Sequence, residues 1–538
     1  MSIRKKSLNF IAFAALVLGA FQACTKKNAG TDGKKVLLYG NGSEPATIDP
    51  QLATGTVEHH IILALYEGLV NSDPQDLHPI PGVAEKWEIS KDQKNFKFFL
   101  RKNAKWSNGD PVTAHDFVNS WMRILTPTLA SEYAYMLHVI VNAEEFNTGK
   151  IKDFSAVGVK AIDDYTLEVK LKGPTPYFLS LLTHHSAIPV HKATIEKFGA
   201  FDDRNNPWTK PGNFVGNGPY KLKTWELNKI LTVEKNPNYW DQASLNLDEI
   251  HFFPTVNLLT EERSFRAGEL HRTNDLPPHK IQNLLKENPE ETKVYPFLAS
   301  YFFRFNTTRK PFTDKRVRKA LSLAINREEI VEKVAKGNQV PAYSFVPPNA
   351  GGYNSKNKIT GDLETARKLL AEAGFPDGKG FPKVDILYNT HEGHKAVAVA
   401  IQEMWKKNLN IDVELNNQEW KVYLDTEKKL QYFVSRAGWV ADYNDPNNFL
   451  DLFVTNGGNN RTGWSNAAYD SLIKKAAMTA DPAARLEVFQ DAEKILLEEM
   501  PILPIYIYTN KYMLSKKVKG YYPNAQDSHP YQNMDLVE

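Results

Sequence analysis

Between Ser435 and Asp451 the sequence reads SRAGWVADYNDPNNFLD, so one short run carries a cation, Arg436, an aromatic wall, Trp439, and an anion, Asp442. A free peptide carries an ammonium at one end and a carboxylate at the other. Enclosing it requires an opposite charge for each end, because an unpaired buried charge is prohibitive. Asp442 suits the amine, and the planar fork of donors on Arg436 suits a carboxylate or backbone carbonyls. The same stretch also fits an ordinary loop, since Asp442, Asn444, Asp445 and Pro446 are all turn formers. Local sequence leaves both readings open.

Other chemistry has little support. The chain has no G-x-S-x-G elbow, no H-E-x-x-H, no phosphate loop and no C-x-x-C. His59-His60 and His184-His185 are adjacent pairs, whose side chains point apart on a strand or helix, so packing or surface roles are expected. His391-Glu392-Gly393-His394 lacks a recognised metal spacing. The run after Asp442 is not a calcium loop, because Asn447 stands where glycine is needed and Phe453 where the closing glutamate belongs. Neither catalysis nor a bound metal or cofactor is expected.

The elements that must position these groups show in the hydrophobic periodicity. Val36 to Tyr39, Phe96 to Leu100 and Thr166 to Leu171 alternate as half-buried strands, with helical spacing between the last two at His115 to Leu125. A helix is also expected near Glu58 to Gly68. Arg316 to Lys336 reads as one helix with Val317, Ala320, Leu321, Ala324 and Ile325 on one face and Gly337 as its stop. Val397, Ala400, Ile401 and Met404 repeat that stripe, as do Leu486, Phe489, Ala492, Ile495 and Leu496. Short strands at Val384 to Leu387 and Ile411 to Leu415 alternate with these helices, which implies α/β layering.

Residues 1–23 read as an export signal, with Arg4, Lys5 and Lys6 before an apolar run at 10–20 that is shorter than the about 20 residues a bilayer needs. Cys24 is the single cysteine. Phe21-Gln22-Ala23-Cys24 resembles a lipobox, with Ala23 in place and Phe21 and Gln22 departing from the usual residues, so lipidation at Cys24 is expected. Residues 24–35 then form a polar tether. Without residues 1–23 the charges balance at 63 Lys+Arg against 63 Asp+Glu, which implies no nucleic-acid surface. The 538 residues suffice for about three domain-sized units with cores of their own.

Several segments resemble the oligopeptide-binding proteins of bacterial ABC importers, within the peptide, dipeptide and nickel solute-binding family. They are 81-PGVAEKW-87, 105-KWSNGDPVTA-114, 216-GNGPY-220, 235-KNPNYW-240, 306-NTTRKPF-312, 417-NQEW-420 and the 435–451 stretch, in the family's order across nearly the whole chain. The resemblance implies an α/β, two-lobed, hinged periplasmic-binding-protein-like fold with an additional inserted domain. Lobe I would comprise residues 36–65, 188–298 and 510–538, the inserted domain II 66–187, and lobe III 299–509, with hinge crossings near Ala299 and Thr509.

It further implies a monomeric, lipid-anchored receptor in the periplasm or at the cell surface, which binds extended short peptides and delivers them to an ABC permease with its ATPase subunits. A receptor for murein tripeptide or a signalling peptide is the alternative, and a secreted peptide hydrolase a more distant one. Asp442 would hold the ligand's ammonium, Arg436 and His394 its carboxylate, and Trp439, Trp420, Tyr133 and Tyr508 would wall the pockets. Three positions depart from the family pattern: Glu427 replaces an arginine, Thr54 a glutamate, and Arg304 an acidic residue. Each removes or reverses a charge in the expected cleft.

Overall fold

The structure, a computed structural model, describes residues 33–359 and 362–537. The export signal, Cys24 and most of the tether lie outside the described residues. Among those described, no helix is long and apolar enough to cross a membrane.

Three main sheets organise the chain. The first is four-stranded and drawn from two separate segments: Val36–Gly40 pairs in parallel with Glu249–Phe253, followed by Ile230–Lys235 and Tyr220–Glu226. The second, antiparallel, uses one continuous run, Ala84–Ile89, Asn95–Leu100, Thr166–Lys170 and Val159–Asp163. It packs on the helix Ala114–Leu125, whose start is fixed by a capping box between Thr113 and Asp116.

The third sheet has six strands in the order Val340–Pro341, Ile502–Met513, Thr292–Phe305, Val434–Val440, Val384–Asn389, Val413–Gln418. Its two long strands pair antiparallel along most of their length in this α/β, two-lobed fold. Thr292 to Pro296 pair with Met513 to Thr509, and Ser300 to Arg304 with Ile507 to Ile502, with a slip in register between the two blocks. One end packs with Leu276, Ile281 and Leu284, while Tyr301, Phe303 and Phe305 at the other enter the core beneath the helices Lys315–Leu323 and Glu392–Leu409.

The helix expected from Arg316 to Lys336 is interrupted. It runs Lys315–Leu323 and restarts at Arg327, because Asn326 caps the second segment by accepting the Glu329 N–H at 3.0 Å. The stop is Lys336, at φ 56°, rather than Gly337. A polar side chain that offers the backbone an alternative hydrogen bond outweighs an unbroken apolar stripe.

Candidate functional site

Val384–Asn389, Val413–Gln418 and Val434–Val440 run parallel, and their carboxyl ends open on one side of the sheet. Ligands of open α/β sheets bind outside such ends. A cavity of about 290 Å³ lies there, and Asp442, Arg436, Trp439, His394, Trp420, Tyr133 and Tyr508 all line it.

At one end, the Asp442 side chain is 9% exposed and no Lys or Arg among the described residues reaches it. Its Oδ1 accepts from the Tyr133 hydroxyl at 3.4 Å and lies 3.2 Å from His184 Nε2, and its Oδ2 accepts from Asn448 Nδ2 at 3.0 Å. Asn448 is itself fixed, because its Oδ1 receives Trp439 Nε1 and the Asp442 N–H at 2.9 Å each. His184 Nδ1 accepts the Ser186 N–H at 3.3 Å, so the ring's proton sits on Nε2 and is donated to Asp442. Tyr133, His184 and Asn448 thus hold the carboxylate, with no lysine or arginine among the described residues beside it.

At the other end Arg436 is buried without a carboxylate partner among the described residues. It donates to Asn389 Oδ1 at 3.3 Å and to the Tyr508 hydroxyl, and its guanidinium lies 4.8 Å from the Tyr301 ring centre. Burial, and then the charge of Arg436, push the His394 imidazole well below its ordinary value, so it is neutral. Nearby charges are already matched. Burial alone would raise the Asp275 carboxyl, but Lys511 at 2.9 Å and His391 at 3.3 Å hold it well down. His391 also caps the helix Glu392–Leu409 through the Gly393 N–H at 3.2 Å.

Between the two ends runs an open backbone edge. Val434–Val440 pairs with Thr292–Phe305 along its whole length, but with Val384–Asn389 only at Val434 and Ser435. The Ala441 N–H donates to Leu298 O at 2.9 Å, which fixes the alternation: odd-numbered residues bond toward that neighbour, and Arg436, Gly438 and Val440 face away. Tyr423 covers the Arg436 carbonyl. Gly438 and Val440 line the cavity with their N–H and C=O groups turned to it. A Cβ on Gly438 would stand 2.9 Å from the Tyr508 hydroxyl and 3.1 Å from Arg436 Nη2, so glycine keeps this edge open.

The far wall comes from segments remote in sequence. Trp420 Nε1 donates to Glu58 Oε1 at 3.1 Å, and Tyr133 lies 6.2 Å from Trp439 between ring centres. Glu132 receives Arg461 Nη2 at 3.3 Å and also Lys428, and Tyr177 stacks on Tyr443 at 4.8 Å.

Two expectations require correction. Of the three departures from the family pattern, Thr54 faces the cavity, whereas Arg304 and Glu427 do not line it. They satisfy each other, Arg304 Nη1 lying 2.7 and 2.8 Å from the two Glu427 oxygens, with Ser435 Oγ at 2.7 Å and Arg461 at 3.3 Å. The adjacent histidines are not confined to packing or surface roles either, because His59, His60, His184 and His185 all line the cavity. Among the described residues the one group with metal-ligand spacing is elsewhere, at Asp73, Asp76 and His78.

Comparison with known proteins is consistent across the chain. The profile of the bacterial extracellular solute-binding proteins, family 5 (middle), matches residues 78–461. The periplasmic oligopeptide-binding protein OppA of Salmonella typhimurium is 42% identical over 535 residues, 97% of this chain and 96% of its own. The murein tripeptide binding protein MppA of Escherichia coli superposes with a TM-score of 0.90 at 38% identity, over 94% of this chain and 99% of that one. OppA of Haemophilus influenzae in complex with the peptide RPPGFSPFR gives 0.89 at 38% identity, over 94% and 100%. An unliganded open form of MppA, again at 38% identity and 94% coverage of this chain, and 98% of that one, gives only 0.62. Identity is equal in the two MppA comparisons, so the difference lies in how the lobes are set, and the lobes here stand nearer the former arrangement than the open one.

Proposed function

The chain belongs to the bacterial extracellular solute-binding proteins of family 5, a family of binding proteins rather than enzymes, and from that premise we propose that it captures short peptides between its lobes outside the cytoplasmic membrane and delivers them to an ABC permease. The observation that carries this reading is the unpaired edge at Gly438 and Val440, set between an anion without a cation and a cation without an anion. An extended peptide added there would take the row that Val384–Asn389 leaves after Leu387, with its ammonium at Asp442 and its carboxylate at Arg436 and His394. Main-chain pairing supplies affinity irrespective of side chains, and Trp439, Trp420, Tyr133 and Tyr508 enclose those side chains among ordered water.

In this reading residues 36–65, 188–298 and 510–538 form lobe I, 66–187 an inserted domain II that moves with it, and 299–509 lobe III. The lobes close about the slipped register of the two long strands, near Ala299 and Thr509. Export and acylation of Cys24 would tether a monomeric receptor to a membrane, where the permease's ATPase supplies the energy for transport.

A murein tripeptide is the second reading, favoured by the 0.90 superposition on MppA. Native mass spectrometry of the purified protein separates the two: co-purified mixed peptides support the broad importer, and one defined mass supports the narrower receptor. Calorimetry with a tripeptide and its N-acetyl and C-amide forms tests both, because each block should weaken binding at least tenfold; equal affinity for all three forms would refute end recognition.

A further inference from the structure

His59 belongs to a hydrogen-bonded relay whose direction is set at one end. His185 Nε2 lies 3.2 Å from the Ala53 carbonyl oxygen, which can only accept, so that nitrogen carries the proton. Burial pushes the His185 imidazole well below its ordinary value and that of His59 down to about 3, so both rings are neutral. His185 Nδ1 is therefore bare and accepts from His59 Nδ1, 3.2 Å away. That leaves the second nitrogen of His59, Nε2, without a proton. It has no partner among the described residues, it is not shut away from solvent, and His59 lines the cavity. The ring stacks on His184 at 6.5 Å between centres, 11° from parallel, and His184 donates to Asp442 at 3.2 Å. His59 thus stands one ring away from the carboxylate assigned to the ligand's ammonium.

We propose that His59 is a specificity residue, its Nε2 lone pair accepting a hydrogen bond from an O–H or N–H on the side chain of the ligand's first residue. This rests on the peptide-receptor reading above and names the ligands that the receptor prefers. Closure removes water from the wall, and a bare acceptor facing a methyl group is left unpaired, whereas a serine, threonine or asparagine side chain satisfies it. Asp442 reads the ammonium of every peptide, and His59 grades peptides by what stands beside that ammonium.

The test is calorimetry on the full mature chain with Ala-Ala-Ala and the three peptides carrying a single serine, together with Thr-Ala-Ala against Val-Ala-Ala. Serine at position 1 should tighten binding roughly tenfold and at positions 2 and 3 by less than threefold, with Thr-Ala-Ala ahead of Val-Ala-Ala. The gain should vanish in His59→Leu. It should shrink in His185→Ala, where His59 loses the acceptor that fixes its tautomer. The wild-type scan stands whether or not the variants fold. No gain at position 1, an equal gain elsewhere, or a gain that survives His59→Leu overturns the assignment while the receptor reading stands. Failure of every peptide to bind overturns that reading, and this assignment with it.

Discussion

Replacing Asp442 by Asn removes the charge with little change of shape, and the groups around it determine how the exchange is felt. In the wild type His184 and Tyr133 donate to Oδ1 and Asn448 Nδ2 donates to Oδ2. An Asn side chain can keep its oxygen on the first pair, but its amide nitrogen then faces the Asn448 amide, donor against donor. Asn448 cannot turn to relieve this, because its own oxygen is engaged by Trp439 and the Asp442 N–H. Loss of one member of a buried charge pair weakens binding by about 2–5 kcal/mol, or roughly 30- to 4,000-fold in Kd. Stability should fall as well, by about 1–3 kcal/mol for the unpaired donor, which a melting curve would register. The decisive measurement is a cycle: Kd of wild type and Asp442→Asn, each with a free and an N-acetylated tripeptide. Acetylation should cost the wild type at least tenfold and the variant much less, because the charge it removes no longer has a partner. An equal acetylation penalty in both proteins would mean that the ammonium binds elsewhere.

Three further outcomes are expected. Gly438→Ala places a methyl group 2.9 Å from the Tyr508 hydroxyl and 3.1 Å from Arg436 Nη2; both can shift, so the melting temperature should barely move while peptide affinity drops at least tenfold, and unchanged affinity would argue against strand addition at this edge. Glu132→Ala breaks contacts with Arg461 and Lys428 across the lobes without touching the cavity. At about 1–2 kcal/mol of the closed state, it should weaken all peptides together by roughly 5- to 30-fold, and an unaltered Kd would show that the contact is idle. Burial raises the Glu58 carboxyl from its ordinary 4.5 to about 7. The folded chain then holds that proton more tightly than the unfolded chain, so stability is full below pH 4.5 and falls as the pH climbs to about 7, by about 3 kcal/mol in all. Glu58→Gln stays neutral, so its melting temperature should gain on that of the wild type between pH 4.5 and 8; a constant difference would contradict the buried ionisation.

The elements were legible where a single period governs them. Asn95–Leu100 alternates along its length, and the stripe at Val397 and Ile401 is one face of Glu392–Leu409. Legibility stops where a distant or polar group intervenes, as Asn326 does in breaking the helix after Leu323. The order of the six-stranded sheet was out of reach for the same reason, since Thr292–Phe305 pairs with strands that begin at Val434 and Ile502. The histidines show the limit most clearly. His59 and His60 do take different partners, His60 turning to Asp527 at 3.1 Å and His59 to His185 at 3.2 Å, although both line the cavity. What the sequence could not supply is His185, 126 positions away, which gives His59 its partner.

Charge is the harder lesson, because it is read one residue at a time in sequence and in pairs in space. Glu427 and Arg304 each stand as an isolated reversal along the chain, and each suggests a cleft of altered sign. In the fold the two reversals meet at 2.7 Å, with Ser435 and Arg461 completing the set, so they cancel outside the cavity. Arg304 without Glu427 would be a buried charge without its partner, at a cost of several kcal/mol. Thr54 is different, having a place on the cavity wall. The wall's remaining charges are Asp275 with Lys511, Asp527 with Arg272, and the two unmatched groups Asp442 and Arg436. A ligand with one cationic and one anionic end closes that balance. A second carboxylate on a ligand side chain would find no free cation among these residues, so it would have to keep its water.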